Sequence, residues 1–95
     1  MSNSHVEPAP AISVVIPSYG RPTALIECLQ CLQRQEFDQG FEVIVSDDAS
    51  PVPVADALVE RSPELADFCR VVRLERNAGP GAARNAAVAA ARAPL

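Results

Sequence analysis

The stretch Glu42-Val43-Ile44-Val45-Ser46-Asp47-Asp48-Ala49-Ser50 decides how this chain is read. Its β-branched run at 43–45 stops at a polar cluster, the pattern of a buried strand that ends in a loop. Successive side chains of a strand point to opposite faces, so Asp47 and Asp48 should not share a direction. One is placed to brace the loop, and the other to face a crevice. At the carboxyl end of a parallel strand, such a crevice is where an open α/β sheet takes its ligand. Taken alone, Asp-Asp-x-Ser reads as a turn or a helix cap. Its neighbours change that reading.

Working outward toward the start, Ile12-Ser13-Val14-Val15-Ile16-Pro17 is a mostly apolar run suited to a strand covered on both faces. A loop, Pro17–Arg21, follows, and Pro22 fits the first turn of a helix running to about Gln35. Gly40 marks the turn back toward the central strand at 42–47. On the other side, 55–60 reads as a helix. Ser62 and Pro63 suit the N-cap and first position of the next one. Arg70-Val71-Val72-Arg73-Leu74-Glu75 is a third strand whose alternating charge marks a wetter edge. The glycine loop Asn77-Ala78-Gly79-Pro80-Gly81 leads into an alanine-rich helix, 82–92. The order is βαβαβα.

Right-handed crossovers place the three strands in one parallel sheet with helices on both faces, a three-layer Rossmann-like α/β architecture. Rossmann-like winding gives the order 3-2-1 and leaves the apolar first strand at an open edge. A flat apolar edge calls for a partner strand. The pattern therefore predicts that residues 11–95 are the front part of a larger domain, preceded by a flexible tail at 1–10 that holds the lone His5.

Composition limits the functions on offer. Ninety-five residues, 48% of them hydrophobic, make one globular unit. Eight arginines and no lysine face twelve acids, for a net charge of −4, and Trp is absent. A nucleic-acid binder would show the opposite charge balance and more aromatic rings. Any phosphate contact must be local. No run is long and apolar enough to be a transmembrane segment, and no secretory leader is visible. Three cysteines without such a leader suggest reduced thiols and a cytoplasmic setting. Cys28 and Cys31 form Cys-x-x-Cys, but two turns into a helix rather than at its start, where redox pairs are activated. Cys28 also falls in a stripe with Leu25, Leu29 and Leu32, so core packing is expected for the pair, and for Cys69.

Three loops now meet at the carboxyl ends of the strands: 17–21, 47–50 and 76–84. Ile12–Arg21, Phe41–Ser50 and Asn77-Ala78-Gly79-Pro80-Gly81-Ala82-Ala83-Arg84-Asn85, in that order and spacing, resemble family 2 glycosyltransferases of the GT-A fold. The resemblance covers about residues 11–95. It implies an inverting transfer of a sugar from a nucleotide-sugar donor to an acceptor, such as a glycan, lipid or small molecule. This chain would supply the nucleotide half of the site, formed by Pro17, Ser18, Tyr19, Asp48, Gly79 and Arg84. Pro17 and Tyr19 would border the base, Asp48 would bind base or ribose, and Arg84 would lie near the base or diphosphate.

The residue chemistry agrees with these roles. A carboxylate accepts hydrogen bonds from ribose hydroxyls or a pyrimidine N–H. A guanidinium in the first turn of a helix can serve a phosphate together with backbone amides. A tyrosine offers a ring and a hydroxyl. The plainer readings are a loop aromatic packed on the sheet edge for Tyr19 and a solvated charge for Arg84. The chain departs from the family pattern in Gly20, where Asn is usual, and in Ala87, where Gly is common. The family's Asp-x-Asp, which holds a divalent Mn or Mg ion, follows a fourth strand, and the catalytic base lies further on. Neither metal ligands nor base are expected within these 95 residues.

Two rival readings fit less well. Gly79-x-Gly81-x-x-Arg84 mimics a dinucleotide fingerprint, but Arg replaces the third glycine and the motif sits at the third turn of this type rather than the first. A receiver-like domain carries its acid pair after the first strand, where this chain has Pro17-Ser18-Tyr19. An alternative of another class is an inactive fragment or nucleotide-binding module that needs a partner chain.

Overall fold

The computed structural model describes residues 10–35 and 40–93. The expected tail, apart from Pro10, and His5 with it, lie outside these residues. Seven elements follow one another: β1 (Ile12–Ser18), α1 (Pro22–Gln33), β2 (Phe41–Asp47), α2 (Val54–Arg61), α3 (Pro63–Phe68), β3 (Arg70–Arg73) and α4 (Pro80–Ala90). The strands form one parallel sheet in the order β1-β2-β3, with β2 in the middle. Crossovers through α1 and through α2–α3 place these helices on one face, and α4 covers the other. The chain is therefore α/β in three layers, as its sequence implies.

The β2 side chains divide the core between the layers. Val43 and Val45 join Leu25 and Leu29 of α1, Val54 and Leu58 of α2, Leu65 of α3 and Cys69 in one buried cluster. Ile44 points to the opposite face. There Ala83 and Ala87 of α4 are fully buried, and their small side chains let the helix lie close on the sheet. Ala87 packs well where the family commonly has Gly.

Several expectations need correction. β1 is not covered on both faces: each of its residues is partly or largely exposed, because its outer edge pairs with no strand among the described residues. Ser62 precedes α3 but makes no side-chain cap; its carbonyl accepts the amides of Leu65 and Ala66 instead. The third strand stops at Arg73, two residues early: its last ladder bond runs from the Leu74 amide to the Asp47 carbonyl, and β2 ends at Asp47. Cys28 and Cys31 are exposed rather than packed. The buried line of α1 runs through Leu25 and Leu29. Cys28 lies on its flank toward the open edge of β1, lining a shallow hollow with Ile16, Pro17 and Tyr19. Cys69 is buried as expected, and burial pushes its thiol pKa up.

At the amino ends of the strands, Glu42 is buried and accepts the Ser13 hydroxyl at 2.5 Å and the Arg92 amide at 2.6 Å. The Ala93 amide donates to Ser13 Oγ at 3.2 Å. This clamp fixes the chain leaving α4 beside the start of β1. Burial alone would raise the Glu42 pKa. The hydrogen bonds from Ser13 and Arg92, with the nearby Arg70 charge, outweigh it and hold the carboxyl below its usual range.

Candidate functional site

At the opposite, carboxyl end of the sheet, the two acids of β2 part as strand alternation requires. Asp47 points to the α2 side and is fully buried. One of its oxygens accepts the Ser50 amide at 2.9 Å. The other accepts the Val54 amide at 2.9 Å and Arg73 Nη1 at 2.7 Å. Residue 53, which precedes α2, is a proline with no capping side chain, and Asp47 takes over that work from the strand. Burial would raise its pKa, but these hydrogen bonds prevail and hold it below the ordinary carboxylate range.

Asp48 points to the α4 side. Its two oxygens accept the amides of Ala78 at 2.8 Å and Gly79 at 2.9 Å, which pins the glycine loop ahead of α4. Asn77 Nδ2 donates to the Asp48 carbonyl at 3.3 Å. Gly79 holds φ 94, a left-handed conformation that glycine adopts without strain. The intrahelical bonds of α4 begin with Ala83 N–H to Gly79 C=O, so the amides of Gly81 and Ala82 point out of the helix start.

Beside Asp48 opens a crevice of about 270 Å³, lined by Pro17, Ser18, Tyr19, Asp48, Asn77, Gly79, Pro80 and Ala83. It collects five of the six residues singled out from the sequence. Arg84 is the exception. The helix starts at Pro80, so Arg84 is in its second turn rather than its first. It is exposed and stands outside the lining, one turn beyond Pro80 on the same side of the helix. Tyr19 is 51% exposed and lines both this crevice and the hollow beside Cys28. Gly20 has φ 64, a region open to glycine and asparagine alike, which accounts for the exchange with the family's usual Asn.

Sequence reasoning missed Asn77, Arg73 and the second role of Ser50. Ser50 Oγ accepts the Gly20 amide at 3.0 Å, while its carbonyl accepts Arg73 Nη2 at 3.2 Å. Arg73 is legible only once the register is known, because it lies directly across from Asp47. A separate, apolar hollow of about 160 Å³ lies on the other face, between the starts of α1 and α2.

The described residues do not build a metal site. Asp47 is sealed on the α2 side and Asp48 stands apart from it. Among the described residues no three His, Cys, Asp or Glu side chains converge. No helix among them is long and apolar enough to cross a membrane.

A parallel α/β sheet with a crevice at the carboxyl ends of its strands, beside a glycine turn and a helix start, is the open α/β class of fold. The chain belongs to glycosyl transferase family 2, whose model matches residues 13–95. It is 40% identical over 75 residues to the succinoglycan biosynthesis protein ExoW of Rhizobium meliloti (strain 1021), covering 78% of this chain and 23% of that protein. It is 46% identical over 79 residues to the uncharacterized glycosyltransferase YwdF of Bacillus subtilis (strain 168), 81% of this chain and 27% of that one. It is also 33% identical over 78 residues to a poly(ribitol-phosphate) beta-glucosyltransferase of Bacillus spizizenii (strain ATCC 23059 / NRRL B-14472 / W23), 81% of this chain and 12% of the relative. The matched stretch thus spans about a quarter or less of each relative's length.

Proposed function

We propose that this chain carries the nucleotide half of a glycosyltransferase donor site, in a parent protein that transfers a sugar from a nucleotide sugar to an acceptor. The observation that carries this reading is the crevice, where Tyr19, Asp48 and the start of α4 face one space. Each Asp48 oxygen spends one lone pair on a loop amide and keeps another for a ribose hydroxyl or a base N–H. The Tyr19 ring can lie against a nucleobase. The outward amides of Gly81 and Ala82, with the Arg84 side chain one turn beyond Pro80, suit a diphosphate. The relatives support a donor role too. One is named for succinoglycan biosynthesis and another for poly(ribitol-phosphate), yet both match this same stretch. Chemistry at the sugar and the acceptor belongs to other parts of the parent, as does any divalent ion. The exposed thiols fit a cytoplasmic setting.

Calorimetric titration of the chain with nucleoside diphosphates tests the reading. Asp48→Ala should weaken the tightest of them by about 10- to 150-fold, the equivalent of losing a charged hydrogen-bond partner. Absence of binding to the unmodified chain at millimolar ligand would refute the assignment.

A further inference from the structure

Tyr19 is held by its backbone from both sides. The carbonyl of the preceding residue, Ser18, accepts the Asp48 amide at 2.9 Å. The amide of the following residue, Gly20, donates to Ser50 Oγ at 3.0 Å. Both anchors belong to the end of β2 and the loop after it: the first continues the β1–β2 ladder, and the second is a side-chain bond on the α2 side. Between them Ala49 sits at φ 60, a left-handed conformation that non-glycine residues rarely adopt. That kink lets Asp48 serve the crevice while Ser50 returns toward Gly20 on the α2 side. Ser50 is itself immobilised: its amide is bound by Asp47, its carbonyl by Arg73, and the residue is 2% exposed. Gly20 holds φ 64, and a side chain added there would meet no other atom within 4 Å, so its outer side is open. The Ser50 hydroxyl is the side-chain acceptor that ties the Gly20 amide to the loop after β2.

We infer that Ser50 is a positioning residue, which reaches the crevice through Gly20 and sets the Tyr19 ring at its mouth. The inference rests on the crevice being the nucleotide site. Ser50 lines the other hollow and not the crevice, so it touches no ligand there. Its effect would come through Arg73 and Asp47, which hold Ser50, and through Gly20, which Ser50 holds.

The composition of the chain gives a clean readout, since Tyr19 is its one tyrosine and tryptophan is absent. Fluorescence excited in the tyrosine band therefore reports Tyr19 alone. Ser50→Ala should lower Tyr19 anisotropy and raise its quenching by acrylamide, with far-UV circular dichroism unchanged. Ser50→Thr, which keeps the hydroxyl, should restore both signals. Uridine and guanosine diphosphates, titrated separately, should bind Ser50→Ala about 3- to 10-fold more weakly than the unmodified chain, the worth of one hydrogen bond. Unchanged anisotropy and quenching in Ser50→Ala would overturn the inference. So would a collapse of the dichroism signal, because Ser50 would then be holding the fold and not the loop. If neither diphosphate binds the unmodified chain while the fluorescence responds and Thr rescues it, the nucleotide reading falls and the positioning of Tyr19 stands.

Discussion

Asp47 and Asp48 are adjacent, chemically identical and both buried, yet they sit in different kinds of place. Each accepts two backbone amides ahead of a helix, α2 for Asp47 and α4 for Asp48. Asp47 adds Arg73 at 2.7 Å and is closed off from solvent. Asp48 has no arginine and opens on a crevice. Strand alternation sends one carboxylate into the layer of α2 and the other toward the crevice beside α4. The first is committed to the fold, and the second retains acceptor capacity. Division of labour between two neighbouring acids is thus a consequence of the pleat rather than of any difference in side chain.

The largest effect should come from breaking the Asp47 side. Asp47→Ala leaves two buried amides and a guanidinium without their acceptor. A buried pair broken in this way costs roughly 3–5 kcal/mol, and the partial exposure of Arg73 puts this case near 3. Urea denaturation followed by circular dichroism should show most of the stability gone. The same charge gives a pH signature. Asp47 and Glu42 are both held below their usual range, so the folded chain binds fewer protons than the unfolded chain in acid. Their contribution is complete above about pH 5, where an unfolded carboxyl no longer binds a proton, and is withdrawn as pH falls further. Asp47→Asn should flatten the acid arm of a stability–pH curve. An arm as steep as that of the unmodified chain would take Asp47 out of the linkage.

Asp48→Ala should cost less, about 1–2 kcal/mol, because the amides of Ala78 and Gly79 lie in an exposed loop that water can reach. Its larger consequence belongs to ligand affinity, as set out above. Paired denaturation curves for the two alanine variants make the contrast quantitative. Equal losses of stability would erase the distinction between a fold acid and a site acid.

Much of this was readable in the chain. The β-branched run at 43–45 and the Pro and Gly punctuation mark the elements in their right order, with ends displaced by a residue or two. The opposite directions of Asp47 and Asp48 follow from the period of two. What could not be read is what depends on register or on distant partners. Arg73 meets Asp47 because two strands pair in one alignment, and Ser50 meets Gly20 across thirty positions. Glu42 looked like the opening of a strand, yet its ligands come from Ser13 and Arg92. Cys28 was misplaced because a stripe of four helical positions is wider than the face that β1 and β2 cover. Arg84 was put one turn too early, since Pro80 starts the helix where the glycine loop was expected to continue.

The finest test concerns the residue just before the two acids. Ser46 lies on the α4 face of β2, two positions on from Ile44, and is completely buried. Its hydroxyl finds no hydrogen-bond partner among the described residues, unlike either neighbouring carboxylate. Across the ladder it faces Pro17 and Val72, whose side chains offer it nothing polar. A buried hydroxyl without a partner loses its hydration and gains nothing in return. Ser46→Ala removes that group with little change in volume and should raise stability by about 0.5–1 kcal/mol. The change belongs to the fold alone, so nucleoside diphosphate affinity should stay where it was. A thermal melt with a parallel titration reads both. If Ser46→Ala instead lowers stability by 1 kcal/mol or more, the hydroxyl has a partner, and the polar character of this strand end extends one residue further back than Asp47.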